Sequence, residues 1–343
     1  HKPIEMLTLM MDRRYDSGNL RRSSLLALID QALIKLMQEI KANPGDDFIF
    51  HEAGDAIPAQ QSNEQILLLD ASGYTPQDET SLAREVQRLY ESGFKHFTIL
   101  NSEGHRFIAN GLGPGTAGVR LDVYGSAGDY LASGLDGAEI HVHNNGQDQL
   151  AQIMKSGKLV VHGDVGQTFM YAAKGGEVYV LGNTAGRPLI NAVGKPRVVI
   201  NGTCLDYLAE SFMAGDPLNG GGFVVLNGLE FDEHNRVVEL DTPYPGGNLF
   251  SLASGGAIFV RDPHGKVTSD QLNGGEFTPL TARDWQLIEP YLQENERLFG
   301  ITVDELLTVQ GQKLAPVQVY RKIHPLAMRA LQAEEAWVTE TEE

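Results

Sequence analysis

The sequence predicts a mainly β protein: a parallel β-helix, or solenoid, with an N-terminal α/β unit and C-terminal helices. Glycine accounts for 38 of the 343 residues, and short runs of Val, Ile and Leu lie between the glycines. In the middle of the chain the same glycine pattern returns after 38 residues. Glycine costs about 1 kcal/mol relative to alanine inside a helix, which disfavours a helical solenoid. Stacked coils of short parallel strands satisfy all of these observations.

The repeated unit is clearest over residues 119–182. Gly125 and Gly163 are 38 residues apart, and Gly128 and Gly166 repeat that spacing. Each period holds two short β-runs, whereas a β-propeller blade of similar length needs four strands, so the propeller is the second choice. We expect glycine where the chain turns with positive φ or where neighbouring coils approach closely. The expected positions are Gly125, Gly128, Gly137, Gly163, Gly166, Gly176, Gly202, Gly222 and Gly256.

Residues 1–110 are interpreted as a helix followed by a small α/β unit. Apolar residues at helical spacing predict a helix over 25–40, which Asn43 and Pro44 end. A buried strand over 66–69 and a helix over 82–90 follow, with Gly93 at the helix C-terminus. Two further strands, 96–100 and 105–109, are predicted to form a hairpin around the polar residues 101–104.

Residues 111–270 are assigned to the β-helix and residues 271–343 to a helical extension with an acidic tail. Thr281 and Thr302 are each followed three residues later by an acidic residue, which is typical of a helix capping box. Pro290 is expected to break or kink the first of these helices. Residues 314–323 fit a strand or an extended arm, and a last helix is predicted over 325–337.

An insertion over residues 227–248 interrupts the repeat. Residues 231–238 fit a β-hairpin with a polar turn, and the Pro- and Gly-rich residues 241–248 predict a rigid loop. Rigid loops inserted into a solenoid often contact a partner. Tyr244, Pro245 and Asn248 are therefore candidates for contact with another protein.

Composition limits the classes of partner. The formal net charge of -18 argues against binding to nucleic acid or to an anionic membrane surface. With no recognisable signal peptide and no apolar run of membrane-spanning length, a cytoplasmic location is expected. The single cysteine, Cys204, excludes an intramolecular disulfide and an all-cysteine iron–sulfur or zinc site. We expect Cys204 to be a small buried residue rather than a nucleophile.

The repeated unit of strand, Gly-x-x-Gly, small residues, Gly-Gly and strand resembles the C-terminal domain of glutamate synthase large subunits. That domain is a right-handed parallel β-helix named for its G-x-G-x-G motif, and a similar β-helix occurs in one of the chains of formylmethanofuran dehydrogenase. The resemblance covers about residues 105–262 and is best over 123–140, 163–182 and 221–226. It implies a right-handed parallel β-helix here as well.

The resemblance also implies a function. In glutamate synthases this domain separates a glutaminase with an N-terminal cysteine from an FMN barrel that carries iron–sulfur. The implied role is a non-catalytic structural or scaffold subunit of a multi-subunit glutamate synthase-like flavin and iron–sulfur oxidoreductase, without activity alone. No cofactor is expected in this chain; FMN or FAD and Fe-S are expected in partner subunits, which would be FMN/Fe-S synthase-like or glutaminase-like chains.

Two alternatives to this function remain. One is a scaffold subunit of a formylmethanofuran dehydrogenase-like complex that handles formyl groups or formate. The other, less favoured, is a stand-alone metal- or carboxylate-dependent β-helix hydrolase or lyase, for which Asp122, Asp129, Asp136 and Asp164 are the candidate carboxylates. Such enzymes group their carboxylates in one groove, whereas these four follow the repeat.

A group of histidines is the remaining candidate for chemistry. His141 and His143 lie on one face of a predicted strand, and His162 and Asp164 fall on a neighbouring coil. Imidazole and carboxylate groups are ligands of zinc and other divalent metals. No further ligand has a fixed local spacing, so a polar ladder on a solvated or partner-facing surface is favoured. We therefore expect no catalytic, cofactor-binding or metal residues, and His141, His143 and His162 are the candidates if a metal is bound.

Overall fold

The computed structural model describes residues 2–326. Over that range the chain begins with two helices, continues as a long series of strands, and ends with three helices and a last strand. The helices are α1 (Lys2–Asp12), α2 (Arg22–Ala42), α3 (Leu82–Glu91), α4 (Ala282–Phe299), α5 (Val303–Leu307) and α6 (Pro316–Val319).

The strands form one large sheet and two short hairpins. Their bounds are β1 (Phe48–His51), β2 (Ile66–Asp70), β3 (His96–His105), β4 (Arg120–Ala127), β5 (Asp136–Val142), β6 (Ser156–Val161), β7 (Glu177–Val180), β8 (Arg197–Ile200), β9 (Phe223–Leu226), β10 (Leu229–Phe231), β11 (Val237–Glu239), β12 (Ala257–Arg261), β13 (Gly275–Thr278), β14 (Thr308–Val309), β15 (Gln312–Lys313) and β16 (Tyr320–Pro325). The large sheet has the order β1-β2-β3-β4-β5-β6-β7-β8-β9-β12-β16-β13. It is parallel from β1 to β12, and β16 runs antiparallel to both of its neighbours.

The prediction of a right-handed parallel β-helix is wrong. The predicted β-runs of the repeat are strands, but all of them lie side by side in one open sheet of 12 strands. A β-helix needs strands on more than one face around its axis. Here each half of the 38-residue period, a repeat of 19 or 20 residues, contributes a single strand, and all of these strands lie in the large sheet. The rest of each repeat forms turns, because alternate residues such as Gln149, Ala151 and Ile153 have positive φ, which is incompatible with extended backbone.

Alternating strand residues divide the interior between two faces of the sheet. One face carries residues such as Val123, Ile140 and Leu159, which pack against α3 and the apolar side chains of the turn segments. On the other face, Tyr179 and Val199 belong to a cluster that includes the apolar side of α4. The N-terminal helices cover the same face nearer β1 and β2, where their side chains pack around Phe48 and Leu68. The helices therefore cover only part of the sheet, and the turn segments cover the rest.

A ladder of side-chain hydrogen bonds connects successive repeats. The Oδ1 atom of Asn145 accepts from the backbone N–H of Asp164 at 2.8 Å, and Asp164 Oδ1 accepts from the N–H of Asn183 at 2.7 Å. Asn183 Oδ1 continues the series by accepting from the N–H of Thr203 at 2.9 Å. Each side-chain oxygen thus accepts a hydrogen bond from a backbone N–H of the next repeat, 19 or 20 residues further along the chain.

Glycine is required beside this ladder because the amide or carboxylate oxygen occupies the place of a side chain. A Cβ atom at Gly182 would lie 2.1 Å from Asp164 Oδ1 and 3.0 Å from the carbonyl of Gly163. Gly163 and Gly202 are in the same position relative to Asn145 and Asn183, at 2.3 Å and 2.4 Å. The recurring glycines of the sequence therefore reflect close approach between repeats.

The other predicted glycines either have positive φ or lie close to another atom. Positive φ is found at Gly125, Gly137, Gly176 and Gly256, and the first two of these lie inside strands β4 and β5 rather than in turns. Gly128, Gly166 and Gly222 have another atom within 3 Å of a Cβ position.

Several predicted elements of the flanking segments are confirmed. The helix over 25–40 is α2, and β10 and β11 form the antiparallel hairpin predicted within the insertion. Thr281 and Thr302 both form capping boxes with the acidic residue three positions later. The helix α4 continues through Pro290, so the predicted break does not occur.

The predicted hairpin over residues 96–109 is wrong. A single strand, β3, spans the supposed turn and pairs in parallel with both β2 and β4. The strand accommodates the turn-forming residues through two irregularities, which are register shifts between Ile99 and Ser102 and between Glu103 and His105. At the other end, α6 and β16 occupy 316–325, and Pro325 ends a strand. The predicted last helix and acidic tail otherwise lie outside the described residues.

Within residues 2–326, no helix combines the length and the apolar character that crossing a membrane would need.

The ladder predicts that alanine at Gly182 destabilises the fold, because its Cβ would overlap Asp164 and the backbone of Gly163. Urea unfolding should show a loss of about 2–3 kcal/mol for Gly182→Ala, as expected for overpacking in a tight site. Gly247→Ala is the matched control, since no atom lies within 4 Å of its Cβ position. Equal stabilities of the two variants would contradict the close approach.

Candidate functional site

A cavity of about 470 Å³ lies where α1 and the end of α4 cover the sheet. A connected group of titratable side chains lines it. They come from the end of α1, from β4 and β5, and from the residues that follow β5 and β6: Asp12, Arg120, Asp122, His141, His143 and His162. A second cavity, of about 440 Å³, reaches Asp12, His143 and His162 from another side.

The strand register explains why these side chains meet. His141 and His143 are two residues apart, so their side chains leave the same face of the sheet. Asp122 on β4 pairs with His141 on β5 in the parallel ladder. One step further along the strands, the rings of Tyr124, His143 and His162 stack in a row, with centroids 4.4 Å and 5.3 Å apart. Neighbouring repeats thus place equivalent positions next to each other.

His143 is held between two carboxylates. Its Nδ1 atom lies 3.0 Å and 2.9 Å from the oxygens of Asp12, and its Nε2 atom lies 3.1 Å from Asp122 Oδ1. Arg120 donates to both oxygens of Asp122, at 2.9 Å and 2.7 Å, and to Glu139 Oε1 at 2.7 Å. Because Asp12 is the last residue of α1, this network connects the first helix to the middle of the sheet.

His162 lies beside this network without joining it. Its side chain is 4% exposed, and neither ring nitrogen has a hydrogen-bond partner among the described residues. Its Nε2 atom is 3.4 Å from Asp12 Oδ2, and the two atoms do not form a hydrogen bond. The ring packs edge-on against Phe299 at the end of α4. Two buried polar nitrogens are therefore left unsatisfied, which is a costly arrangement.

The surroundings give the two histidines different charges. Burial alone would lower the pKa of His143, but the carboxylates of Asp12 and Asp122 raise it to about 9. Burial lowers the pKa of His162 to about 3, and Asp12 offsets only part of that effect. Near neutral pH the group therefore contains an imidazolium at His143 and a neutral ring at His162.

The structure brings the rings of the three predicted histidines together, with centroids 5.3 to 6.1 Å apart, but gives their nitrogens different partners. His143 and His162 each place a ring nitrogen near Asp12, whereas the Nε2 atom of His141 lies 2.8 Å from Glu139 Oε1. Their side chains are at most 7% exposed because α1 and α4 cover them, so they do not form a solvated ladder. Asp164 takes part in the ladder between repeats instead.

Asp12 is the residue that sequence reasoning missed. A ligand atom from each of Asp12, His143 and His162 lies within 4.8 Å of the other two. Asp12 is 131 positions from His143, and no local pattern connects the two. The one available signal is an acidic residue at the C-terminus of a helix, where the helix dipole disfavours negative charge.

The remaining candidates occupy different places. Tyr244 is fully buried, and its hydroxyl donates to the carbonyl of Gly247 at 2.8 Å, so its side chain is not available to a partner. Pro245 is exposed and Asn248 is half-buried. Cys204 is also fully buried, and burial raises the pKa of its thiol.

Comparison with known protein families gives one match. The family model described as "GXGXG motif" matches residues 79–310, which is more than half of the chain. It is the family of the C-terminal domain of glutamate synthase large subunits. Among curated proteins, none matches this chain.

The site predicts a structural role for Arg120. Arg120→Met leaves the carboxylates of Asp122 and Glu139 without their main donor, and urea unfolding should show a loss of about 1 kcal/mol, since these side chains are only partly buried. Arg236→Met is the matched control, because two nitrogens of the Arg236 guanidinium contact Asp232 Oδ2 at the exposed end of the β10–β11 hairpin. No measurable loss is expected there. An equal loss in both variants would contradict the importance of this partly buried network.

Proposed function

Because this chain belongs to the GXGXG motif family, that of the C-terminal domain of glutamate synthase large subunits, we propose that it is a non-catalytic structural subunit of a glutamate synthase-like oxidoreductase. It holds separate catalytic chains together, as the domain does within one chain in glutamate synthases. The family match over residues 79–310 carries this proposal. The cytoplasm is the proposed location.

The state of the single cysteine supports a non-catalytic role. A glutaminase of the glutamate synthase type uses an N-terminal cysteine as its nucleophile, and an iron–sulfur cluster requires several cysteine ligands. Cys204 lies inside the repeat, is fully buried and has a raised pKa, all of which disfavour a reactive thiolate. Glutamine hydrolysis and electron transfer would therefore belong to partner chains that carry FMN or FAD and Fe-S.

The surface of the N-terminal helices supports contact with another protein. Large apolar side chains are exposed on the outer sides of α1 and α2: Met6, Leu9, Met10, Leu28 and Ile34. Exposed apolar groups that share one region of a surface are typical of protein interfaces. We therefore favour this surface over the loop 241–248, where Tyr244 is buried and Pro245 is the exposed candidate.

Purification of the tagged full-length chain from its own cells, followed by mass spectrometry and an absorption spectrum, tests the proposal. The expected result is a stoichiometric complex with a flavin- and iron–sulfur-containing chain and a glutaminase-like chain. Chains that handle formyl groups or formate would indicate the alternative scaffold role. A chain that purifies alone and hydrolyses glutamine would contradict the proposal.

The proposed surface is tested by the double substitution Met6→Glu/Leu9→Glu. It should dissociate the complex and leave the circular dichroism spectrum unchanged, because both side chains are exposed. Pro245→Glu is the control at another exposed position. Loss of the complex with Pro245→Glu alone would place the contact on the inserted loop instead.

A further inference from the structure

We propose that Asp12, His143 and His162 bind one divalent transition-metal ion, with zinc as the reference ion. This inference concerns the chain itself and does not depend on the proposed function. Its starting point is His162, which is buried and has two ring nitrogens without a hydrogen-bond partner among the described residues. A ring nitrogen that coordinates a metal no longer needs such a partner.

The separations of the ligand atoms suit a zinc ion. His143 Nδ1 is 2.9 Å from Asp12 Oδ2, which is in turn 3.4 Å from His162 Nε2. Two ligands bound tetrahedrally to zinc at about 2.1 Å are about 3.4 Å apart. When zinc binds, Nδ1 of His143 releases to solvent the proton that it carries in the metal-free protein, and side-chain rotations bring the three atoms to coordination distance.

The surroundings of His143 are those of a metal ligand. Its Nε2 atom lies 3.1 Å from Asp122 Oδ1, and Arg120 donates to both oxygens of that carboxylate. A histidine that binds metal through one nitrogen commonly donates the other N–H to a carboxylate, which fixes the tautomer and the orientation of the ring. Asp122 and Arg120 thus hold Nδ1 of His143 toward Asp12.

The position of Asp12 favours a cation beside it, a place that the imidazolium of His143 occupies in the metal-free protein. Asp12 is buried and ends α1, where the partial negative charge of the helix C-terminus opposes a carboxylate. A divalent ion shared with His143 and His162 compensates that charge. It also ties α1 to the strand region of β5 and β6, so metal binding should stabilise the covered end of the sheet.

The ligand set indicates which ions fit. Two imidazole nitrogens and one carboxylate suit zinc, nickel or cobalt, whereas magnesium and calcium prefer oxygen ligands. Three protein ligands leave a fourth tetrahedral position, and the cavities on either side of the cluster give solvent access to it.

The test uses the full-length chain without a polyhistidine tag, stripped with a chelator and dialysed against zinc. Elemental analysis should find one zinc ion per chain, and zinc should raise the Tm by several degrees because it binds the folded state. Magnesium at the same concentration should do neither. Wild-type protein that retains no stoichiometric zinc and shows no rise in Tm would overturn the proposal.

Substitutions then identify the ligands. His162→Gln should abolish zinc retention, and Asp12→Asn, at the end of α1, provides an independent variant if the first does not fold. His141→Gln is the matched control: it lies on the same face of β5, but its ring nitrogen contacts Glu139. Zinc retained by both His162→Gln and Asp12→Asn, or lost from a folded His141→Gln, would overturn this ligand set.

Discussion

The hydrogen bonds that connect each repeat to the next determine most of this structure. Neighbouring strands from β4 to β8 pair at an offset of 19 or 20 residues, and the side chains of Asn145, Asp164 and Asn183 bridge the same interval. A shift of one residue would turn every side chain to the opposite face of the sheet. The glycines beside the ladder permit the close approach that keeps this register.

This register also builds the histidine cluster. Since equivalent positions of successive repeats lie side by side, Tyr124, His143 and His162 stack although they are far apart in sequence. The sheet alone would leave these rings exposed. The helix α1 contributes Asp12 and α4 contributes Phe299, so both flanking segments enclose a site whose centre belongs to the repeat. The segments outside the strongest repeat are thus part of the site as well as of the fold.

Sequence reasoning succeeded where one local rule determines the structure. The strands of the repeat follow from apolar runs between glycines, and the helix starts at Thr281 and Thr302 follow from side chains that cap their own backbone. The arrangement of the strands was not predictable in the same way. A regular spacing of glycines is compatible both with stacked coils and with an open sheet. The positive φ angles at Gln149 and Ala151 occur at residues other than glycine, so the sequence contains no sign of them.

The errors in the predicted site and in the predicted hairpin have a similar cause. His143 and His162 could be named because they share the repeat, whereas Asp12 reaches them only through the packing of α1. The supposed hairpin over 96–109 failed because a polar, glycine-containing segment was accommodated as an irregularity within β3. Packing between residues far apart in the sequence decided both outcomes, and a local sequence pattern does not indicate such packing.

One continuous sheet runs from β1 through the repeat to β16 and β13, and the rest of the molecule depends on that continuity. Hydrogen–deuterium exchange at increasing denaturant, followed strand by strand, tests it most directly. We predict that amides in β2 and β3, such as those of Leu68 and Ile99, lose protection together with those of β5 to β9. Loss of protection in β1 to β3 as a separate, earlier transition, while β5 to β9 remain protected, would contradict a continuous sheet.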